Sequence, residues 1–173
     1  MRKALYIMGI LDDSDVQWMS DTGSRNIVPP GQILIRAGEM PTSLFILLEG
    51  RLSVQTHTSE VASLFAGEIV GEISFVDSKP PSTSVIAAEN CKVLAIPRKL
   101  LSSRLDHNPG FAARFYRSIS IILADRLRVT TARLGAGGGA LSAGDQETVE
   151  ELDFDLMDSI AMAALRFDHL LKE

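Results

Sequence analysis

The residues best placed to hold a ligand are Gly71-Glu72-Ile73-Ser74 and, about ten positions later, Pro80-Pro81-Ser82-Thr83-Ser84-Val85. A Gly-Glu pair opens a short helical turn after a strand, and a hydroxyl-rich run enters the next strand. The backbone N–H groups of residues 71–74 form a helix start that attracts anions. The hydroxyls of Ser82, Thr83 and Ser84 add neutral donors, and they equally suit backbone satisfaction at a strand start. Glu72 has two readings as well, an acceptor for a ligand hydroxyl or a cap on its own turn. Lys79 stands in the intervening loop, within reach of the same place or simply solvated. All of this is binding chemistry. The histidines His57, His107 and His169 form no H-x-H or H-E-x-x-H pattern. No Ser-His-Asp, Walker or G-x-S-x-G signature occurs. The sequence predicts no enzyme, no metal and no cofactor.

Positioning such a site takes a barrel, and the texture from Val28 to Ile96 supplies one. Strand-like pieces recur at 32–35, 44–48, 51–54, 61–65, 85–88 and 92–96. Between them stand Pro29-Pro30-Gly31, Gly38, Pro41, Glu49-Gly50, Gly67 and Pro80-Pro81. Short strands at this spacing predict a sandwich or barrel. Asp12-Asp13-Ser14-Asp15 reads as the capped start of a helix carrying Val16, Trp18 and Met19. After Pro97 the pattern turns helical. A short helix is expected over 98–105, ending before Asn108-Pro109-Gly110. A longer one follows with Phe111, Phe115, Ile119, Ile122, Arg126 or Leu127, Thr130 and Leu134 at three- and four-residue spacing. Arg114, Arg117, Arg128 and Arg133 are expected on its outer face. The apolar stripe of this helix suggests a homodimer, unless it packs within the chain.

Residues 135–144 read as a glycine-rich linker. Residues 145–173 read as an acidic amphipathic helix opening on the capping-box pattern Thr148-Val149-Glu150-Glu151. Val149, Leu152, Leu156, Ile160, Ala163, Phe167 and Leu170 approach a coiled-coil seam about three heptads long. It could dock back, pair with a second copy or grip a partner. This segment holds nine acids and two bases, a net charge of −7 within a chain total of −5, which leaves +2 for residues 1–144. Such a tail would repel nucleic acid and anionic membranes and suits a basic partner. The 46% hydrophobic content is ample for one core. The single cysteine, Cys91, lies in an apolar strand-like run and is expected to be a buried thiol. No apolar run approaches the ~18 residues of a membrane span, and a cytoplasmic location is expected.

Residues 9–134 resemble the cyclic-nucleotide-binding domain family. The resemblance runs through Gly9-Ile10-Leu11-Asp12-Asp13-Ser14-Asp15, then Pro30-Gly31-Gln32-Ile33-Leu34-Ile35-Arg36-Ala37-Gly38-Glu39, and then residues 43–54. It ends with the cassette at 67–85 and the long helix. It implies a mainly β protein with flanking helices: a jelly-roll barrel, a hinge helix and a C-terminal helix. The expected units are 1–134, 135–144 and 145–173. It also implies that Gly71, Glu72, Ile73, Ser74, Ser82, Thr83 and Ser84 hold cyclic AMP or cyclic GMP, with Glu72 on the ribose hydroxyl. The family's phosphate-binding arginine is replaced by Pro81, so the cassette is degenerate. Within the family, Pro80-Pro81-Ser82-Thr83-Ser84-Val85, residues 111–117 and residues 123–128 resemble a cyanobacterial subgroup associated with bacteriocin-type peptide export. The expected function is a non-enzymatic regulatory or sensor module. The alternative is a ligand-free adaptor acting through its C-terminal helices on a protein such as a peptide exporter.

Overall fold

A computed structural model describes residues 8–135 and 154–172. Among the described residues, eight strands form two four-stranded antiparallel sheets. They are β1 (Ser24–Val28), β2 (Ile33–Ile35), β3 (Ser43–Glu49), β4 (Arg51–Gln55), β5 (Glu60–Phe65), β6 (Ile69–Val70), β7 (Ser84–Ala87) and β8 (Cys91–Pro97). One sheet has the order β1-β8-β3-β6 and the other β2-β7-β4-β5. This is the jelly-roll sandwich with flanking helices. The helices are α1 (Asp13–Thr22), α2 (Glu72–Asp77), α3 (Arg98–His107), α4 (Pro109–Gly135) and α5 (Phe154–Lys172).

Strand side chains alternate between faces, and β3 and β8 bury both. Leu47, Val93 and Cys91 point between the sheets with Val28, Ile35, Leu52, Leu64, Val70, Val85 and Ala87. Leu44, Ile46, Leu48, Leu94 and Ile96 point outward and are covered by helices. That second layer explains why β3 reads as an unbroken apolar run. The β3–β4 turn depends on Gly50, whose φ is +91°. A Cβ there would sit 2.5 Å from the Asn90 carbonyl oxygen, so only glycine fits. Cys91 is the buried thiol expected, 2% exposed and donating to the Arg51 carbonyl at 3.2 Å.

Helix α1 starts as its sequence suggests. Asp12 caps it, accepting from the Asp15 N–H at 2.9 Å, and Asp15 returns the bond to the Asp12 N–H. Pro109 opens α4, where Asn108 Oδ1 accepts from the Phe111 N–H at 2.9 Å. Two expectations for α4 are corrected. Its stripe Phe111, Phe115, Ile119 and Ile122 is no free face: all four are at most 7% exposed and pack with Met8, Leu11, Met19 and Phe75. The stripe therefore gives no argument for a homodimer. Arg114 is not a solvated outer residue either. Its guanidinium donates to the fully buried Asp15 carboxylate at 2.6 and 3.0 Å, and reaches Asp12 at 2.7 Å. Arg117 and Arg128 are exposed as expected.

Helix α5 docks back on the domain. Ala163 and Leu170 are fully buried in the helix-covered core, with Phe167 and Leu171 packed against it. Arg166 donates to the carbonyls of Met8 and Leu11 at 2.7 Å and to Asp13 at 2.6 Å. At the far end, Arg25 donates to the Leu170 carbonyl at 3.1 Å and Lys92 to the Leu171 carbonyl at 3.3 Å. These cations satisfy helix-end carbonyls that have no partner in the helix. The expected linker at 135–144 and the capping box at 148–151 lie almost wholly outside the described residues.

Candidate functional site

The site begins where β6 ends. Gly71, at φ +91°, turns the chain into α2. The left-handed conformation favours glycine, and a Cβ would press on Ile35 Cδ1 at 3.3 Å. The turn aims Glu72 inward, where it is 2% exposed. A carboxylate that deep needs a partner, and Glu72 finds it in the guanidinium of Arg126, which donates to it from across on α4. The backbone N–H groups of Gly71 and of Glu72 itself lie close enough to favour its charged form. The other end of that guanidinium donates to the Ile69 carbonyl at 2.9 Å. Burial pushes the Glu72 carboxyl above its ordinary 4.5. Arg126 and the two N–H groups pull it back, and the nearby charge of Glu68 adds to the rise.

These groups line a cavity of about 90 Å³. Ile35, Val54, Leu64, Val70 and Val85 make its apolar wall, and Gly71, Glu72, Ile73, Ser74, Pro81, Thr83 and Arg126 make the rest. Pro81 stands in the wall and brings no cation there. Among the lining residues Arg126 is the one cation and Glu72 the one anion.

The structure brings together five of the seven residues proposed from sequence: Gly71, Glu72, Ile73, Ser74 and Thr83 all line the cavity. Ser82 does not; it is exposed. Ser84 does not either, because its hydroxyl accepts from the Ala37 N–H at 3.0 Å and ties β7 to the loop after β2. That is the backbone-satisfying reading of the hydroxyl run. Lys79 is exposed and outside the lining, with its N–H donating to Asp77 at 3.0 Å.

Arg126 was the residue not singled out for the site. Its signal was present. It falls four residues after Ile122, at the next position of the buried stripe 111, 115, 119, 122. A cation continuing a buried apolar face implies a buried anion opposite it. Among the described residues no cluster of three or more His, Cys, Asp or Glu could hold a metal. No helix among them is long and apolar enough to cross a membrane.

Comparison with known proteins agrees with this fold. Residues 25–108 match the family model described as the cyclic nucleotide-binding domain. The crystal structure of a cyclic nucleotide-binding domain from Methylobacillus flagellatus superposes with a TM-score of 0.70 at 22% identity, covering 81% of this chain and 85% of that one. A Pycsar effector protein of Xanthomonas perforans is 26% identical over 106 residues, 61% of this chain and 35% of the relative. A cyclic nucleotide-gated potassium channel of Rhizobium etli is 36% identical over 80 residues, 44% of this chain and 22% of the channel. The chain thus spans about a third or less of the length of these curated relatives.

Proposed function

We propose that this chain is a non-enzymatic regulatory module whose pocket takes a cyclic nucleotide and reports its presence through α4. The observation that carries this reading is that the cavity is built jointly. The barrel supplies the cassette and the apolar wall, while the pocket's cation, Arg126, belongs to the helix that leaves the barrel. A cavity of about 90 Å³ is far below the roughly 300 Å³ or more of small-molecule sites. Entry of a nucleotide therefore requires the distal part of α4 to withdraw. A ligand that binds only the withdrawn arrangement shifts the population toward it.

The test is calorimetric titration of the full chain with cyclic AMP and cyclic GMP, paired with hydrogen exchange over residues 111–132. Micromolar to millimolar binding with altered exchange around Arg126 is expected. An absence of heat to millimolar nucleotide would refute the ligand, and binding without any change in exchange would refute the coupling.

A second reading, the ligand-free adaptor, is favoured by one observation. Met162 and Leu165 remain exposed, at 42% and 65%, along a groove of about 300 Å³ between α1 and α5 lined also by Asp13, Gln17 and His169. The association with bacteriocin-type peptide export rests on sequence resemblance alone. If it holds, Leu165→Glu should abolish capture of the exporter in a pull-down while leaving nucleotide binding unchanged. Undiminished capture would remove this face from consideration.

A further inference from the structure

We infer that Glu72 is the pocket's resident anion, a built-in competitor for Arg126, and that a phosphodiester ligand binds by displacing it. The inference rests on the reading of this cavity as a ligand site. It assigns Glu72 the opposite role to the one the family resemblance implies, in which this carboxylate holds the ligand.

Three observations converge. First, the charged donor of the cavity already has an anionic acceptor. The guanidinium of Arg126 donates to the Glu72 carboxylate, and its other end to the Ile69 carbonyl. A phosphodiester monoanion entering the cavity needs the same guanidinium. Second, no other lining residue can supply the charge, since Arg126 is the one cation of the lining and Pro81 has neither charge nor N–H. Third, Glu72 is 2% exposed, and burial works against its charged form. The carboxylate tolerates that position through Arg126, so anything that takes Arg126 away favours an exit of Glu72 toward water. The two anions are therefore mutually exclusive on one guanidinium. Glu72 holds the pocket shut and α4 in place until a phosphodiester competes.

The consequence separates two substitutions at neighbouring groups. Removing the competitor strengthens binding, and removing the cation weakens it. A charge-assisted bond contributes roughly 1.5–3 kcal/mol, so Glu72→Gln should bind cyclic AMP about 10- to 100-fold more tightly than the parent chain. Arg126→Gln should lose about 10-fold or more. The experiment is calorimetric titration of the full chain and of Glu72→Gln, Glu72→Ala and Arg126→Gln with cyclic AMP. The inference is supported if both Glu72 variants gain affinity and Arg126→Gln loses it. If the parent chain binds and the Glu72 variants bind equally or more weakly, the competitor role is wrong while the ligand site stands. If neither the parent nor a Glu72 variant binds at millimolar nucleotide, the ligand site itself is wrong. A measurement on the unmodified chain guards against misfolded variants. The Arg126 Nε–H resonance should shift as cyclic AMP is added and saturate with the calorimetric isotherm; a resonance unmoved at saturation overturns the exchange of partners.

Discussion

Replacing Arg114 by alanine is expected to destabilise the domain far more than loss of an ordinary surface cation. Its partner Asp15 is fully buried and accepts from Arg114 at 2.6 and 3.0 Å and from the Asp12 N–H at 3.1 Å. With the guanidinium gone, a charged carboxylate remains inside with one backbone donor. Breaking a fully buried pair costs roughly 3–5 kcal/mol. Arg114 itself keeps 33% of its side-chain surface in water, so some solvent can reach the gap, and about 2–4 kcal/mol is the expected loss. At roughly 2–4 °C per kcal/mol for a chain of this size, Tm should fall by about 5–15 °C. The control is Glu39→Ala, which breaks the exposed Arg36–Glu39 pair, 58% and 71% accessible, and should cost under about 1 kcal/mol. Urea unfolding followed by circular dichroism measures both. High salt should erase the small effect and leave most of the large one, because buried pairs are screened less. If Arg114→Ala falls within 1 kcal/mol of Glu39→Ala, the claim that this pair fastens α4 to α1 is wrong.

Three further outcomes are expected. The Glu72 carboxyl is held above 4.5 by burial in the folded state, facing Arg126 from α4 and Glu68 from the turn before β6. The folded state then binds more protons than the unfolded one just above pH 4.5, so this contribution is full at low pH and is lost as pH rises through the folded value. The Tm difference between the parent chain and Glu72→Gln should shift in that window; a difference flat from pH 4.5 to 7 would contradict it. Gly71→Ala forces a side chain into a left-handed turn and against Ile35, and should cost about 1–2 kcal/mol in urea unfolding; a neutral result would mean the turn relaxes. Cys91, buried and with its thiol pushed up by desolvation, should react with a thiol reagent only as fast as the domain opens; immediate reaction would show that the space between the sheets is open at this end of β8.

The barrel was legible because its signals are local. Gly50 and the apolar runs of β3 and β8 carry their own geometric reasons, and the capping box at Asp12 and Asp15 is spelled out in four residues. Two strands were not legible. Ser24-Arg25-Asn26-Ile27-Val28 is polar because β1 lies at a sheet edge, where Arg25 serves α5 and Ile27 is 76% exposed. The other, β6, has only two residues, too few for any period. The stripe of α4 shows a different limit. Periodicity identifies residues that share a face, and it is silent on what covers them, so a buried seam and a dimer face read alike. The site was half legible for the same reason. The cassette is contiguous in sequence, whereas Arg126 lies 54 residues from Glu72, and only the folded chain brings them together. The hydroxyl run looked uniform, yet the pleat sends Thr83 to the cavity and Ser84 to the Ala37 N–H.

Helix α4 is a single rod of 27 residues, and Arg114 and Arg126 sit at unequal distances from its root. Phe111 is wedged between Trp18 and Phe115, with ring centroids 5.6 and 5.7 Å away, and Arg114 is fastened one turn on. At 1.5 Å of rise per residue, Arg126 lies about 22 Å from Phe111 along the axis. A tilt of about 10° pivoting on Phe111 carries Arg126 about 4 Å, beyond hydrogen-bond reach of Glu72, while the aromatic pivot scarcely moves. The end of the helix at Gly135 sweeps about 6 Å in the same motion. Leverage of this kind lets the exchange of one ion pair inside the barrel become a displacement of several ångströms outside it, with no core contact broken at the fulcrum.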